Sequence, residues 1–376
     1  MIIECLSNYE TSLIVAVVFN LGSNIESESQ FGYTHVVEHY FLNLIEENKH
    51  DCLVQAYTES DHMEVRFISK NNTFSELEKI FSLINYMINS PNFDNNILYK
   101  SKNDVIHEIL TKKNHSKEMI LKSIAGSLYH LPIGTLNSVQ NISIHSFKNF
   151  LKKFLANNNF LLCVFGSISN QTVKSLAKRT IIHFPQKKQF NLEEYYYPVW
   201  NGYQHTLQKI NKFQYIVIKD NWNVSKVYYK AIQMLGDYII ENIITKSKLF
   251  SKFKISYKYI SQTLKIIIIT MVYPCKNDHI IDLKFLFSYI HQHINDSIID
   301  LAKSEITGWL QYTVQSGYNV KLLLDDRKRH FLYNEFSIYD KESTNILIKK
   351  INQLYFNDIE RYFFNISQSP HVIFAD

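Results

Sequence analysis

One order of elements runs through the chain twice, and it leaves few folds open. An apolar, β-branched run opens each half, Leu13–Phe19 in the first and Tyr215–Ile218 in the second. A stretch with helical spacing of apolar residues follows each, over Gly32–Glu46 and Val227–Ile244. Next comes a pair of short strands: Cys52–Tyr57 with Met63–Ser69, then Ser256–Ile260 with Thr263–Tyr273. Thr58-Glu59-Ser60-Asp61 reads as the turn of the first pair. Helices fill the rest of each half. One of them, Thr73–Ile88, places Phe74, Leu77, Ile80, Phe81, Ile84 and Ile88 on one face. A Ser90-Pro91-Asn92 break separates it from another helix over Phe93 to about Lys112, and a further helix is predicted around Val173–Ile182. Leu161–Phe165, ending at Gly166, and His371–Phe374 close the two halves as strands. Halves of similar size and element order predict a duplicated α+β domain.

The boundary falls in a polar, charged, Pro-containing stretch over 184–202. We place the first domain at 1–190, a linker at 191–205 and the second domain at 206–376. Few Gly and Pro, 9 and 6 in 376 residues, argue against disorder.

Charge narrows the function classes. The formal net charge is +5, yet seven Glu precede the first basic residue, Lys49. The lysines that follow are scattered rather than clustered on a nucleic-acid-binding module, which excludes that class of partner. The start Met1-Ile2-Ile3-Glu4 lacks the positive charge of a signal peptide. The apolar runs Leu13–Phe19 and Ile266–Tyr273 are too short to span a bilayer. Cys5, Cys52, Cys163 and Cys275 are far apart and form no CxxC pair, so they read as reduced thiols buried in cores. The expected location is the cytoplasm, with no membrane partner.

One array carries chemistry. His35-Val36-Val37-Glu38-His39 lies inside the first predicted helix. His35 and His39 stand at i and i+4, on one helix face, where two imidazoles reach one metal ion. Glu38 lies beside them, placed to take a proton from a water on the metal. A catalytic zinc needs a third protein ligand and one open position.

The H-x-x-E-H order is the inverzincin signature, and the chain resembles the pitrilysin/insulinase family of zinc peptidases. Gly22-Ser23, Glu26 and Gly32-Tyr33-Thr34 resemble the family's approach to its zinc helix. Gln55-Ala56-Tyr57-Thr58 with Ser60 resembles its Asn-Ala-x-Thr-Ser strand. Asp104-Val105-Ile106-His107-Glu108 resembles the helix with the third ligand, and Tyr129 with Pro132-Ile133-Gly134-Thr135 its Pro-x-Gly-Thr stretch. Asn159 to Gly166 resembles the strand that ends in Gly. The resemblance covers residues 10–183 well and the second half more faintly. It implies two α+β domains, each a mostly antiparallel sheet packed with helices, that together form half of a clamshell. It implies one Zn2+ per chain on His35, His39 and Glu108, with Glu38 as general base. It puts Gln55, Ala56 and Tyr57 on a strand that receives an extended peptide substrate by main-chain hydrogen bonds.

Three departures stand out. Gln55 replaces the family's usual Asn. The family's further Glu, one heptad before the third ligand, is Ser101 here, and Asp104 is the candidate to supply that charge from behind the site. The Arg and Tyr that family members use in the second half have no good match. Lys254 with Tyr257 or Tyr259 are poor stand-ins, since Lys lacks the planar fork of Arg. The resemblance therefore implies the catalytic subunit of a heterodimer whose related partner supplies Arg and Tyr, a homodimer being the other arrangement. The expected activity is a zinc endopeptidase cleaving short unfolded peptides, such as a precursor under maturation. The competing class is a peptide-binding or scaffold subunit with a vestigial metal site.

The other motifs read as structural. His50, His62, His107, His115, His130 and His145 are scattered, and Asp325-Asp326-Arg327-Lys328-Arg329-His330 reads as a solvated helix face or turn.

Overall fold

The computed structural model describes residues 2–7, 12–47, 51–89, 93–111, 131–156, 160–181, 213–220, 226–259, 265–273, 281–316, 320–333, 335–337, 341–369 and 371–375. The chain divides into two compact units, Met1–Pro198 and Val199–Asp376. The predicted linker at 191–205 lies outside the described residues, as do Tyr129, Asn159 and Cys275.

The first unit is built on five strands: β1 (Ile2–Ser7), β2 (Leu13–Phe19), β3 (Leu53–Thr58), β4 (Met63–Ser69) and β5 (Phe160–Gly166). Their order across the sheet is β1-β5-β2-β4-β3. β1 runs parallel to β5, and every other pair is antiparallel. β2 and β5 are central, and their unbroken apolar runs are buried along almost their whole length, as strands covered on both faces must be. β1 was not legible in the sequence: it borrows its stability from the neighbouring β5 rather than from a strong pattern of its own.

Among the described residues its helices are α1 (Tyr33–Glu47), α2 (Phe74–Asn89), α3 (Asn95–Thr111), α4 (Leu136–Gln140), α5 (Ile144–Ala156) and α6 (Asn170–Thr180). Val36, Val37, Tyr40, Phe41, Leu44 and Ile45 of α1 pack into one core with Leu77, Ile80, Phe81, Ile84 and Ile88 of α2. Each such side chain contributes about 1.5–3 kcal/mol on burial. Phe74, predicted on the apolar face of α2, is instead 45% exposed. It stands at the first helical position, before the stripe turns inward.

The second unit has strands β6 (Phe213–Asp220), β7 (Lys252–Tyr259), β8 (Lys265–Val272) and β9 (His371–Ala375). They lie in the order β7-β8-β6-β9, all antiparallel. Read from the other edge this is β9-β6-β8-β7, the order β5-β2-β4-β3 of the first unit. Among the described residues its helices are α7 (Val227–Ser247), α8 (Leu283–His293), α9 (Asp296–Ser316), α10 (Val320–Tyr333), α11 (Lys341–Asn352) and α12 (Phe356–Gln368). Both units are thus α+β, mostly antiparallel sheets packed with helices. Each has a long helix between its first inner strand and its edge strand: α1 before β3, α7 before β7.

The cluster read as a solvated face at 325–330 falls on α10 and is partly interior. Asp326 is buried and accepts a hydrogen bond from Ser337 Oγ at 2.6 Å. His330 Nδ1 lies 2.8 Å from the Glu335 carbonyl. Glu335 itself is buried, with Lys230 Nζ at 3.1 Å and Lys265 Nζ at 3.5 Å. The physical reason is pairing: a charge run tolerates burial where opposite charges and hydroxyls meet it. Cys52 and Cys163 are buried. No helix among the described residues is long and apolar enough to cross a membrane.

Candidate metal centre

The site begins with how α1 is launched. Gly32 and Gly134 both have positive φ, 93° and 77°. They stand back to back: a Cβ on Gly134 would lie 2.4 Å from Gly32 Cα. Only glycine fits at either place, because of the left-handed backbone and because of the contact. The turn at Leu131–Gly134 is thereby pressed against the start of α1, and Ser138 Oγ donates to the Phe31 carbonyl. Two sequence stretches a hundred residues apart, Gly32-Tyr33-Thr34 and Pro132-Ile133-Gly134-Thr135, prove to be one structural feature.

Glu26 finishes the launch. It is buried and accepts the backbone N–H groups of Gly32 at 2.8 Å and Thr34 at 2.6 Å. These donors have no partner within the helix. Burial pushes its carboxyl up to about 8, against the pull of the two N–H groups.

The helix then carries His35, Glu38 and His39 to one place, and α3 brings Glu108 to meet them. Glu108 Oε2 lies 3.3 Å from His35 Nε2 and 3.5 Å from His39 Nε2. One ligand atom from each of the three residues lies within 4.8 Å of the others, an arrangement able to hold a metal ion. The imidazole rings meet edge to face, 4.9 Å apart. Burial alone would lower the pKa of His35. The Glu108 hydrogen bond and the charges of Glu38 and Glu108 outweigh it, so the value is raised. His35 Nδ1 is buried with no hydrogen bond of ordinary geometry. The donor set of two imidazoles and one carboxylate fits zinc with a position left open.

Glu38 is buried beside this group and accepts a 2.5 Å hydrogen bond from Thr58 Oγ1 at the end of β3. That bond ties the edge strand to the helix. β3 pairs only with β4 among the described residues, so its other edge is open. Gln55, Ala56 and Tyr57 lie on it, and the Tyr57 hydroxyl donates to Gln55 Oε1 at 3.2 Å. Arg66, opposite Gln55 on β4, sits over the Tyr57 ring. Asp104 Oδ2 lies 4.0 Å from His39 Nδ1, on the outer side of that ring.

Two participants escaped the sequence reading. Thr58 was only part of a matched strand, and nothing in spacing showed that it would meet Glu38. Asn43 is not among the sequence-predicted residues, although a lone amide inside the apolar run Tyr40-Phe41-Leu42-Asn43-Leu44-Ile45 is a signal. In the second unit, the stand-in Tyr257 donates its hydroxyl to both carboxylate oxygens of Asp237, at 2.8 and 2.7 Å. The side chain of Tyr259 lies outside the described residues.

No family model and no curated protein matches the sequence. The fold has clear relatives among solved structures. The chain superposes on the periplasmic protease PqqL from Escherichia coli with a TM-score of 0.78 and 15% identity, over 99% of its own length. It spans 46% of that protein, about half. A protease from Helicobacter pylori matches with a TM-score of 0.72 and 14% identity, over 99% of this chain and 96% of that one. A peptidase M16 inactive domain from Pseudomonas fluorescens matches with a TM-score of 0.70 and 12% identity, covering 99% and 94%. The fold is therefore that of M16-like peptidases, active and inactive members alike.

Proposed function

We propose that the chain is a zinc-dependent endopeptidase acting on short unfolded peptides, and that it works as the catalytic subunit of a two-subunit enzyme. The observation that carries this is the convergence of His35, His39 and Glu108 on one point, with buried Glu38 beside them. Zinc held there would polarise the scissile carbonyl and lower the pKa of a bound water toward neutrality. Glu38 would serve as the base that takes a proton from the attacking water and returns it to the departing amine. Thr58 holds Glu38 in place, and the open edge of β3 takes the peptide backbone as an added strand. The peptide's carbonyl is thereby brought to the helix that carries the base.

A partner subunit fits the same geometry. The stretch 247–257 contains no Arg, and the Tyr257 hydroxyl is committed to Asp237. A second subunit would be a source of the donors that stabilise an oxyanion. A related chain that supplies Arg and Tyr meets this need, and so does the two-half length of PqqL. The second reading, a binding subunit with a retired metal site, is favoured by the likeness to an inactive M16 domain.

Metal analysis separates the two. The chain purified without added metal is expected to hold about one zinc, lost in Glu108→Ala. Glu38→Gln is expected to keep the zinc and lose cleavage. A metal-free wild-type chain that still binds peptide would put the binding subunit first.

A further inference from the structure

His39 has two ring nitrogens with different surroundings. Nε2 faces Glu108 at 3.5 Å, and Nδ1 faces Asp104 at 4.0 Å. A histidine that presents Nε2 to a metal must keep its proton on Nδ1, and an acceptor at Nδ1 fixes that tautomer and the ring's orientation. What holds the acceptor in place is Asn43. It sits on α1 one turn beyond His39, buried among apolar neighbours. Its Nδ2 donates to Asp104 Oδ2 at 2.9 Å and to Ser101 Oγ at 3.0 Å. Ser101 is fully buried and spends its own proton on the Ile97 carbonyl at 2.7 Å, so toward Asn43 it can only accept. Both N–H bonds of the amide are thus committed, one to each of two residues on α3.

We infer that Asn43 is a positioning residue for the metal centre: it aims Asp104 at the outer nitrogen of His39 and fixes the register of α3, and with it Glu108, against α1. The inference rests on the zinc reading above. Leu or Ala at this position removes the one donor that links the acceptor to the helix bearing both histidines. Asp104, less buried than Asn43, then turns to water. Glu108 lies one turn further along α3 and moves with it.

The test uses the full chain and zinc alone, with affinity measured by chelator competition and ligand geometry by the visible spectrum of the Co2+ form. Asn43→Ala and Asp104→Ala are each expected to weaken zinc about 10- to 100-fold, the range for partners behind a metal ligand. The double variant is expected to match Asp104→Ala within about threefold if the amide acts largely through the aspartate. The Co2+ bands shift in each. A wild-type chain that binds no zinc removes the zinc reading and this inference together. Wild-type zinc binding with Asn43→Ala unchanged in affinity and spectrum removes this inference alone, as do fully additive losses. If Asn43→Ala fails to fold, Asp104→Ala, on the more exposed partner, carries the test: unchanged affinity and spectrum there overturn the proposal.

Discussion

Each unit sets a carboxylate of its long helix against a hydroxyl of its edge strand, and the two surround it in opposite ways. In the first, α1 carries Glu38, which accepts from Thr58 on the edge strand β3. In the second, α7 carries Asp237, which accepts from Tyr257 on the edge strand β7. Each carboxylate precedes its strand partner by 20 residues. Around Glu38 the helix adds His35 and His39, and the neighbouring helix adds Glu108. Around Asp237 the space is filled instead. Tyr362 on α12 donates to Asp237 at 2.9 Å and stacks over Gly236, the residue before it. Lys265 lies over the Tyr257 ring and pairs with Glu335. The same topology thus gives one unit ligand atoms facing a shared point and the other a closed polar core.

The sharpest way to break this comparison is to make the same change in both units. Glu38→Gln is expected to lower cleavage by about 10²–10⁴-fold, the range for loss of a general base. Zinc content and stability should stay near wild type. Asp237→Asn is expected to leave cleavage within a few fold of wild type. Equal losses in both variants would mean that the second unit also takes part in chemistry.

Stability gives the next largest effect. A Cβ added at Gly236 would meet the Tyr362 ring at 2.4 Å, and that ring is fully buried. Gly236→Ala is therefore expected to cost about 1–3 kcal/mol in urea unfolding, as overpacked cores do. Gly308→Ala is the control, because a Cβ there meets nothing within 4 Å. In an exposed helix interior it should gain up to about 1 kcal/mol.

A smaller effect concerns pH. Burial pushes the Asp237 carboxyl from 3.8 up to about 7, opposed by the Tyr257 and Tyr362 hydroxyls and by Lys265, while Glu241 adds to the rise. The folded unit then holds a proton that the unfolded chain releases more readily. Stability from this group is full below about pH 4 and falls as pH rises toward 7, where the loss is complete. Thermal melts from pH 4 to 7 should lose that part of their slope in Asp237→Asn. An unchanged slope would show that the tyrosines keep Asp237 ionised throughout.

The sequence disclosed the two units unevenly, and the reason lies in range. His35, Glu38 and His39 stand within one helical turn and a bit, so their shared face follows from helix geometry alone. Leu13–Phe19 and Met63–Ser69 were legible because their β-branched and apolar content marks inner strands. Glu108 came from resemblance, since no local rule ties α3 to α1. Asn43 depends on Ser101 and Asp104, about sixty residues away, and Asp237 on Tyr362, more than a hundred away. Gly236-Asp237 interrupts an apolar helix and was a visible anomaly, yet nothing in its spacing named a partner. Long-range polar contacts of this kind have no period to read.

A last change tests the comparison through an effect on cleavage that should be near zero. Tyr257 is, with Tyr259, one of the two second-unit tyrosines considered for a substrate-binding role, but its hydroxyl is bound to Asp237 and lies 3.2 Å from the Tyr362 hydroxyl. Tyr257→Phe removes a donor to a buried carboxylate and is expected to cost about 1–3 kcal/mol of stability. If a partner supplies the oxyanion donors as proposed, cleavage should stay within about threefold of wild type, because Tyr362 still serves Asp237. Steady-state kinetics with an unfolded peptide, set beside urea titration of the same protein, reads both numbers. If kcat falls a hundredfold while stability is unchanged, Tyr257 leaves Asp237 when substrate binds. The closed core of the second unit would then be a resting arrangement, and the need for a partner's tyrosine would disappear.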